Sequence, residues 1–500
     1  MPQAVSKLMA MRMGKRQYRN ANRYFMCSLI VSAVSGLIFS GIMYFGANFI
    51  AGTLLHAELA AYSIRMLAPT VLVMAFLGVF RGFFQGFRNM VPTAISQIIE
   101  QIVNAIVSVV AAYLLYQRGM KTDLVKGSTE YSAALGAMGG TVGTLAGAVA
   151  ALILILFLFA VSYPATLRAK MQREPAKRVF RYERVFSDIF QMVIPIVIST
   201  FIFHILNLID NGIYGAYMSH IHVDEKTYMA VWGVYSGKYQ LLINLPIALA
   251  TALASSIIPE LTRAVERRDK GEISQKIDIS VRFTTLITIP AMVGLAVLGS
   301  DLLALLFGSG SSAADAGKML IYGSLAVLFF AYATISNGIL HGLGKMFTTV
   351  RNALIALVVH LVVLVLSLWV MGWNIDGVVF AYTVFGFVVS VLNYFSIVEA
   401  SNFRGSFVKT YLLPLAASLV MGMCVYIVNF LITKGLGVVI HRASLVRLVA
   451  VCVSVVVGVL VYFVTALVFH AVDEMDLLDM PMGARLIRVA KRMHLLRDAE

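Results

Sequence analysis

An ionisable side chain inside an apolar run costs about 2.5–3.5 kcal/mol on insertion scales, so each one needs a reason. Lys238 lies in the run G-V-Y-S-G-K-Y-Q-L-L-I-N-L-P, where Gly233, Gly237 and Pro246 weaken the helix around it. Such a cation could face a polar cavity and attract an anionic head group. The bland alternatives are snorkelling to the outer interface and an ion pair between helices. Asp210 continues a face made by His204, Asn207, Asn211 and Tyr214. That face could wall a cavity, Asp210 could bind a coupling ion, or Asp210 could simply partner Lys238. Glu100 shares a face with Gln97, Gln101, Asn104 and Ser108. It could be a proton or sodium site, or could pair with Arg88 or another helix. Arg65 and Arg81 bracket one apolar segment. Arg81 is expected at the cytoplasmic interface, and Arg65, nearer the outer face, could meet a head group. Structural anchoring is the plainer role for both.

Other chemistry is missing from the pattern. There is no Gly-rich phosphate loop ending in Lys-Ser/Thr, and no G-x-S-x-G, H-E-x-x-H or Cys-x-x-Cys run. No enzyme, cofactor or metal site is expected. Cys27, Cys424 and Cys452 all fall in apolar segments and read as small core residues. The acids Asp473, Glu474, Asp476 and Asp479 read as a solvated terminal surface.

The elements that must position these groups are membrane helices. Of the 500 residues 60% are hydrophobic and only 13% charged, against about a quarter in soluble domains. Mean hydropathy is +0.85. The apolar runs are continuous, which excludes a β-barrel's alternation. Twelve segments are long enough to span: 23–52, 62–84, 92–116, 133–163, 188–216, 230–257, 281–307, 318–342, 348–371, 376–400, 410–433 and 444–470. The net charge of +15 lies in short loops beside these segments. Positive-inside topology and anionic lipid account for it better than nucleic acid does. Cations in 1–23, 164–187, 259–280 and the tail put those segments in the cytoplasm, while Arg118, Lys121 and Lys126 fit the outer loop 117–132 poorly. Arg485, Arg488 and Arg492 have the spacing of a basic surface helix.

An internal repeat orders the segments. Gly82-Phe-Phe-Gln-Gly86, Met90 and Thr93 overlie Gly338-Ile-Leu-His-Gly342, Met346 and Thr349, at an offset of 256 residues. Pro2, Lys7 and Gly14 overlie Pro259, Arg263 and Gly271 at nearly the same offset. Equivalent helices are six apart, so the halves run parallel. Asn104 then stands opposite His360, and both are expected to line one cavity. Two helices precede Pro259 and none precedes Pro2. We therefore expect an intact protein of fourteen helices, of which this chain lacks the first two.

Three runs carry a resemblance: Arg65-x-x-x-Pro69, Arg81-Gly82-x-Phe84-Gln85-Gly86 and Pro92-Thr93-Ala94-x-Ser96-Gln97-x-x-Glu100-Gln101. They resemble the oligosaccharidyl-lipid flippase branch of the MOP superfamily, in its polysaccharide-biosynthesis and stage V sporulation protein B-like group, near the bacterial lipid II flippases. The resemblance spans essentially the whole chain. It implies an all-α polytopic bundle: two parallel six-helix lobes with a central cationic cavity, and two extra C-terminal helices lining a lipid groove. On this chain the expected divisions are an incomplete four-helix lobe over 1–163, a basic linker over 164–187, a six-helix lobe over 188–400, the additional helices over 401–470 and a basic tail over 471–500. The implied activity is transport of an undecaprenyl-pyrophosphate-linked sugar between leaflets of the bacterial cytoplasmic membrane. Anionic lipid and cell-wall synthesis proteins are the expected partners. Lys238, Arg65, Asn104, His360, Asn207 and Asn211 are the substrate-cavity candidates, and Glu100 and Asp210 the ion-coupling candidates. The chain departs from its relatives at Asn104, where they often carry Arg. Rival readings are a cation-coupled multidrug exporter of the same superfamily, a membrane glycosyltransferase or ligase, which would normally need a large outer loop, and a scaffold of a cell-wall complex.

Overall fold

The computed structural model describes residues 1–54, 58–127, 130–172, 174, 179–308, 310–401, 403, 405–439 and 443–472. The described residues form helices and no strands. Twelve helices are long and apolar enough to cross a membrane. Preceded by the short α1 (Pro2–Gly14), they are α2 (Tyr18–Phe45), α3 (Ala61–Gly86), α4 (Val91–Lys126), α5 (Tyr131–Gln172), α6 (Tyr182–His220), α7 (Thr227–Arg267), α8 (Lys270–Phe307), α10 (Leu325–Gly342), α11 (Met346–Val370), α12 (Asn374–Ser401), α13 (Val408–Leu436) and α14 (Ala443–Val468). Between α8 and α10 lies the shorter α9 (Ser311–Gly323). The basic helix expected at Arg485–Arg492 lies outside the described residues. The chain divides into two compact units, one of residues 1–194 with 258–267 and one of 195–257 with 268–500.

In the first unit α1 lies along α3, and glycine makes the approach possible. A Cβ at Gly82 would sit 2.7 Å from Val5 Cβ and 2.8 Å from the Pro2 carbonyl, and one at Gly86 would sit 2.8 Å from Met9 Cβ. Both glycines lie within α3. Their four-residue spacing clears one helix face for a neighbouring backbone. The turn comes later, at Arg88 and Asn89. Arg88 has a left-handed φ of 63°, and the Asn89 N–H donates to the Phe84 carbonyl at 3.1 Å, a helix-ending bond that captures an orphan carbonyl. Behind α3, Phe25, Phe80, Phe83 and Phe159 pack edge-on or tilted with ring centres 5.0–5.7 Å apart.

Helices α4 and α5 form a long hairpin. The 36 residues of α4 extend about 54 Å, well beyond a hydrocarbon core of about 30 Å. Most of the segment expected to be an outer loop, 117–132, is therefore helical. Asp123 holds the tip together, since its carboxylate accepts the Tyr131 and Ser132 N–H groups at 2.9 Å each. Along the hairpin Gly139, Gly143 and Gly147 repeat every fourth residue. Each faces α4 so closely that a Cβ would collide with Ala112, Ser108 or the Glu100 carbonyl.

The second unit is centred on stacked aromatics, with Phe330 against Tyr382 at 4.2 Å and Phe203 edge-on to Phe385 at 5.2 Å. Helix α13 packs on α8, where Gly422 faces Val293, and α14 packs on α13, where Gly458 faces Val425.

Two outcomes are expected. Gly82→Leu overpacks the α1–α3 contact and should destabilise by about 1–3 kcal/mol, read as a lower thermal midpoint in detergent. Gly212→Ala, where nothing lies within 4 Å of the new methyl, should not lower the midpoint and, since alanine favours helix over glycine, should raise it slightly. The second outcome concerns Lys7 on α1, which is buried. Desolvation pushes its ammonium down from 10.5 to about 8, with Glu266 opposing the shift. The charged form is thus penalised in the folded state. The penalty is complete below about pH 8 and is relieved as the pH rises to 10.5, a span worth on the order of 3 kcal/mol. The stability difference between the wild type and Lys7→Met should therefore shift toward the wild type across that window. A pH-independent difference would refute it.

Candidate functional site: two buried polar centres

The first centre lies in the first unit, where α3 meets α4. Arg81 Nη2 donates to Glu100 Oε2 at 2.7 Å, and Arg81 Nε donates to Ser96 Oγ at 3.0 Å. Ser96 in turn donates to the Thr93 carbonyl at 2.8 Å. The side chains of Arg81 and Glu100 are only 9% and 16% exposed, so the pair is charge-assisted and largely out of water. Glu100 is therefore engaged by Arg81 rather than Arg88, and Arg81 bonds across from α3 to α4. The polar face of α4 also divides. Glu100, Asn104 and Ser108 are half-buried, whereas Gln97 and Gln101 are exposed. Asn104 Oδ1 lies 2.8 Å from Ser108 Oγ, beside the Gly147 approach.

The same turn recurs in the second unit with different chemistry. Gly344 takes the left-handed position with φ 84°, and the Lys345 N–H donates to the Leu340 carbonyl at 2.8 Å. At the positions that match Arg81 and Ser96 stand Asn337 and Asn352. Asn352 Nδ2 donates to Asn393 Oδ1 at 2.9 Å and Ser396 Oγ at 3.1 Å. Asn393 Nδ2 reaches Ser336 Oγ and Asn337 Oδ1, both at 2.9 Å. The Arg351 guanidinium donates to Asn352 Oδ1 at 3.3 Å, and this amide cluster on α10, α11 and α12 was not singled out in the sequence. Its signal was present as polar residues inside three apolar runs.

The second centre joins α6 to α11. Asp210 Oδ1 and His360 Nε2 are 2.6 Å apart, with no exposed surface on either side chain. His360 Nδ1 is 2.9 Å from the Ala381 carbonyl of α12. A carbonyl only accepts, so the bonding network assigns a hydrogen to Nδ1. Asp210 Oδ2 has no hydrogen-bond partner. Asp210 thus pairs with His360 and not with Lys238. His360 matches Asn104 in register but not in surroundings, since it is fully enclosed.

Around this pair, Gln240 Nε2 donates to Asn207 Oδ1 at 2.6 Å and to the Tyr235 hydroxyl at 3.1 Å. Asn211 Oδ1 is buried without a partner. Tyr235 to Tyr239 form a π-helical turn within α7, a local rewinding frequent at functional sites. Lys238 lies in that turn, half-buried, and donates to Ser312 Oγ at 2.7 Å. Its ammonium also lies 5.1 Å from the Phe307 ring centre. It therefore ties α7 to the end of α8 and the start of α9. Arg65, at the opening of α3, donates to Asn48 Oδ1 at 2.9 Å. The structure brings Asp210 and His360 together, with Asn207 and Asn211 on the same helix as Asp210. Within the second unit it keeps Lys238 apart from that pair.

A groove of about 350 Å³ runs between α8 and the last two helices, lined by Leu286, Pro290, Gly294, Met421, Gly458 and Tyr462 among others. Its walls are predominantly apolar.

Comparison with known proteins follows the same lines. Residues 1–265 match the polysaccharide biosynthesis protein family. The chain is 27% identical over 479 residues to the lipid II flippase MurJ of Bacillus subtilis (strain 168), covering 92% of this chain and 84% of that protein. Among solved structures, a multidrug resistance MATE family transporter of the MOP superfamily in its outward-facing conformation superposes with a TM-score of 0.63. Its identity is 16%, and the match covers 81% of this chain and 84% of that one. A MOP superfamily transporter from Pyrococcus furiosus gives 0.61 at 16% identity, covering 80% and 84%. At such identity the structures speak for the fold, which is that of the MOP superfamily.

The Arg81–Glu100 pair makes a double-mutant test. Glu100→Leu alone leaves a buried guanidinium without its carboxylate and should cost about 3–5 kcal/mol. Glu100→Leu combined with Arg81→Met should recover most of that loss. Equal destabilisation by the single and double variants would show that the pair is not coupled.

Proposed function

The chain belongs to the polysaccharide biosynthesis protein family, and from that premise we propose that it carries a polyprenyl-pyrophosphate-linked glycan across the bacterial cytoplasmic membrane by alternating access. It changes no covalent bond of its cargo. The observation that carries the reading is the similarity to a lipid II flippase along 92% of the chain, joined to a fold shared with transporters. The physical case agrees. The sugar and pyrophosphate cannot cross hydrocarbon unaided, whereas the polyprenyl tail is at home in it. A protein need only shelter the head while the tail stays in lipid, and rocking of one helix bundle against another then exposes the head to each side in turn.

In this reading the apolar groove beside α13 and α14 accompanies the tail. Lys238 attracts the pyrophosphate, and the weakened π-helical turn that carries it supports the role. Asn207 and Asn211, in the same unit as Lys238, offer polar contacts to the head. Anionic lipid and cell-wall synthesis proteins are the partners it implies. The transporter fold also supports a second reading, export of small cationic molecules, because the neighbours in structure include multidrug transporters.

Complementation separates the two. Expressed in cells depleted of their lipid II flippase, this chain should restore growth and clear lipid-linked precursor from the inner leaflet. Rescue should be lost in Lys238→Ala and kept in Lys238→Arg. If precursor accumulates with every version while cationic dye efflux rises, the exporter reading replaces the flippase.

A further inference from the structure

We propose that the Asp210–His360 pair is a proton-binding site, and that its loading and unloading couples movement of the lipid-linked cargo to a transmembrane proton gradient. The coupling rests on the flippase reading above, whereas the proton site rests on geometry alone.

The Ala381 carbonyl occupies Nδ1 of the ring, which therefore carries a hydrogen. At 2.6 Å, Nε2 and Asp210 Oδ1 cannot face each other as two bare acceptors, so one proton lies between them. Whichever atom holds it, carboxyl with imidazole or carboxylate with imidazolium, the pair has net charge zero. Removing that proton leaves a carboxylate with no exposed surface beside a neutral ring. Adding a second proton leaves an uncompensated cation. Either state is costly while the site is closed. The proton is thus trapped in the closed state and is exchanged only when water enters.

The surroundings show where water would enter. Asp210 Oδ2 is buried and lacks a partner. Asn207 and Asn211 lie on the same helix within one turn, and Asn207 leads through Gln240 to the Tyr235 hydroxyl. The Asp210 carboxyl in turn bears on the hydroxyls of Tyr235 of α7 and Tyr382 of α12. Tyr214, on α6 itself, bears on Asp376 instead, and Lys238 is held by Ser312 and Phe307. Among the described residues no group of three or more His, Cys, Asp or Glu could hold a metal ion. The 2.6 Å contact between Nε2 and Oδ1 is itself the geometry of a shared proton, and the ion gradients below separate a proton from sodium.

The test uses the whole chain in liposomes clamped at zero membrane potential. A fluorescent polyprenyl-pyrophosphate disaccharide reports leaflet distribution. One proton moved per lipid across one pH unit corresponds to about a tenfold bias in that distribution. The wild type should show this bias under a pH gradient and none under a sodium gradient. In Asp210→Asn and in His360→Gln, each checked for monodispersity, the ratio with and without the pH gradient should fall to about one. A bias driven by sodium, or one retained in both variants, overturns the coupling. A second measurement needs no transport and no variant that folds poorly. Solid-state NMR of histidine-labelled wild type at rest should show His360 with protonated Nδ1 and a far-downfield shared proton, unchanged from pH 6 to 8 on the order of free-imidazole titration. A His360 resonance that titrates as a free ring overturns the proton site itself. Wild type that moves no lipid under any gradient overturns the functional reading and the coupling with it, and the NMR result then still decides whether the pair holds its proton.

Discussion

Hydrocarbon offers a buried polar group no partner of its own, so every such group in this chain has to be answered by the protein. That constraint explains why the informative residues come in pairs and files. Arg81 is answered by Glu100 and Ser96, Asp210 by His360, and Asn352 by Asn393 and Ser396. Each of these bonds crosses from one helix to another. Helix association within a membrane lacks the hydrophobic drive of water-soluble folding and rests on packing and on such bonds. The polar centres are accordingly part of what holds the helices in place. Some buried polar atoms find no protein partner, Asp210 Oδ2 and Asn211 Oδ1 among them.

The two matching turns show how one backbone solution carries different side-chain chemistry. Both use a left-handed residue, Arg88 or Gly344, and both close with a bond from the next N–H to a carbonyl five residues back. Yet the helices they join are fastened by an Arg81–Glu100 ion pair with Ser96 in one case and by an amide cluster, with Arg351 on Asn352, in the other. A charged pair demands its partner more strictly than an amide, because a lone guanidinium in hydrocarbon is far costlier than a lone carboxamide. The two turns therefore differ in how much rearrangement their side chains tolerate.

Much of the fold was legible in the sequence because hydropathy is a local signal. The twelve spans follow from runs of apolar residues, and the repeat at Gly82 and Gly338 located two turns within a few residues. What stayed hidden depended on distance or on the identity of a neighbour. A glycine that clears space for another helix is indistinguishable in one dimension from a glycine that bends the chain, so the contact of Gly82 and Gly86 with α1 was not legible. Nothing local links Asp210 to His360, 150 residues away. Lys238 was visible as a cation in an apolar run, but Ser312 and Phe307, which receive it, lie on other elements. The length of α4 was obscured because its last turns are polar enough to resemble a loop, whereas Asp123 and the hairpin packing keep them helical.

The π-helical turn at Tyr235–Tyr239 divides α7 in a way that neither charge nor burial expresses. A π turn is in effect one residue more than an α-helical ladder requires, and each residue of an α-helix advances about 100°. The two halves of α7 are therefore out of phase with each other by roughly a quarter turn or more. Positions before Tyr235 and after Tyr239 cannot be read from a single helical wheel. The inserted residue acts as a phase shifter between Trp232, which stacks on Tyr214, and Gln240, which donates to Asn207. Sequence changes in this helix should accordingly be judged half by half, each against its own angular origin.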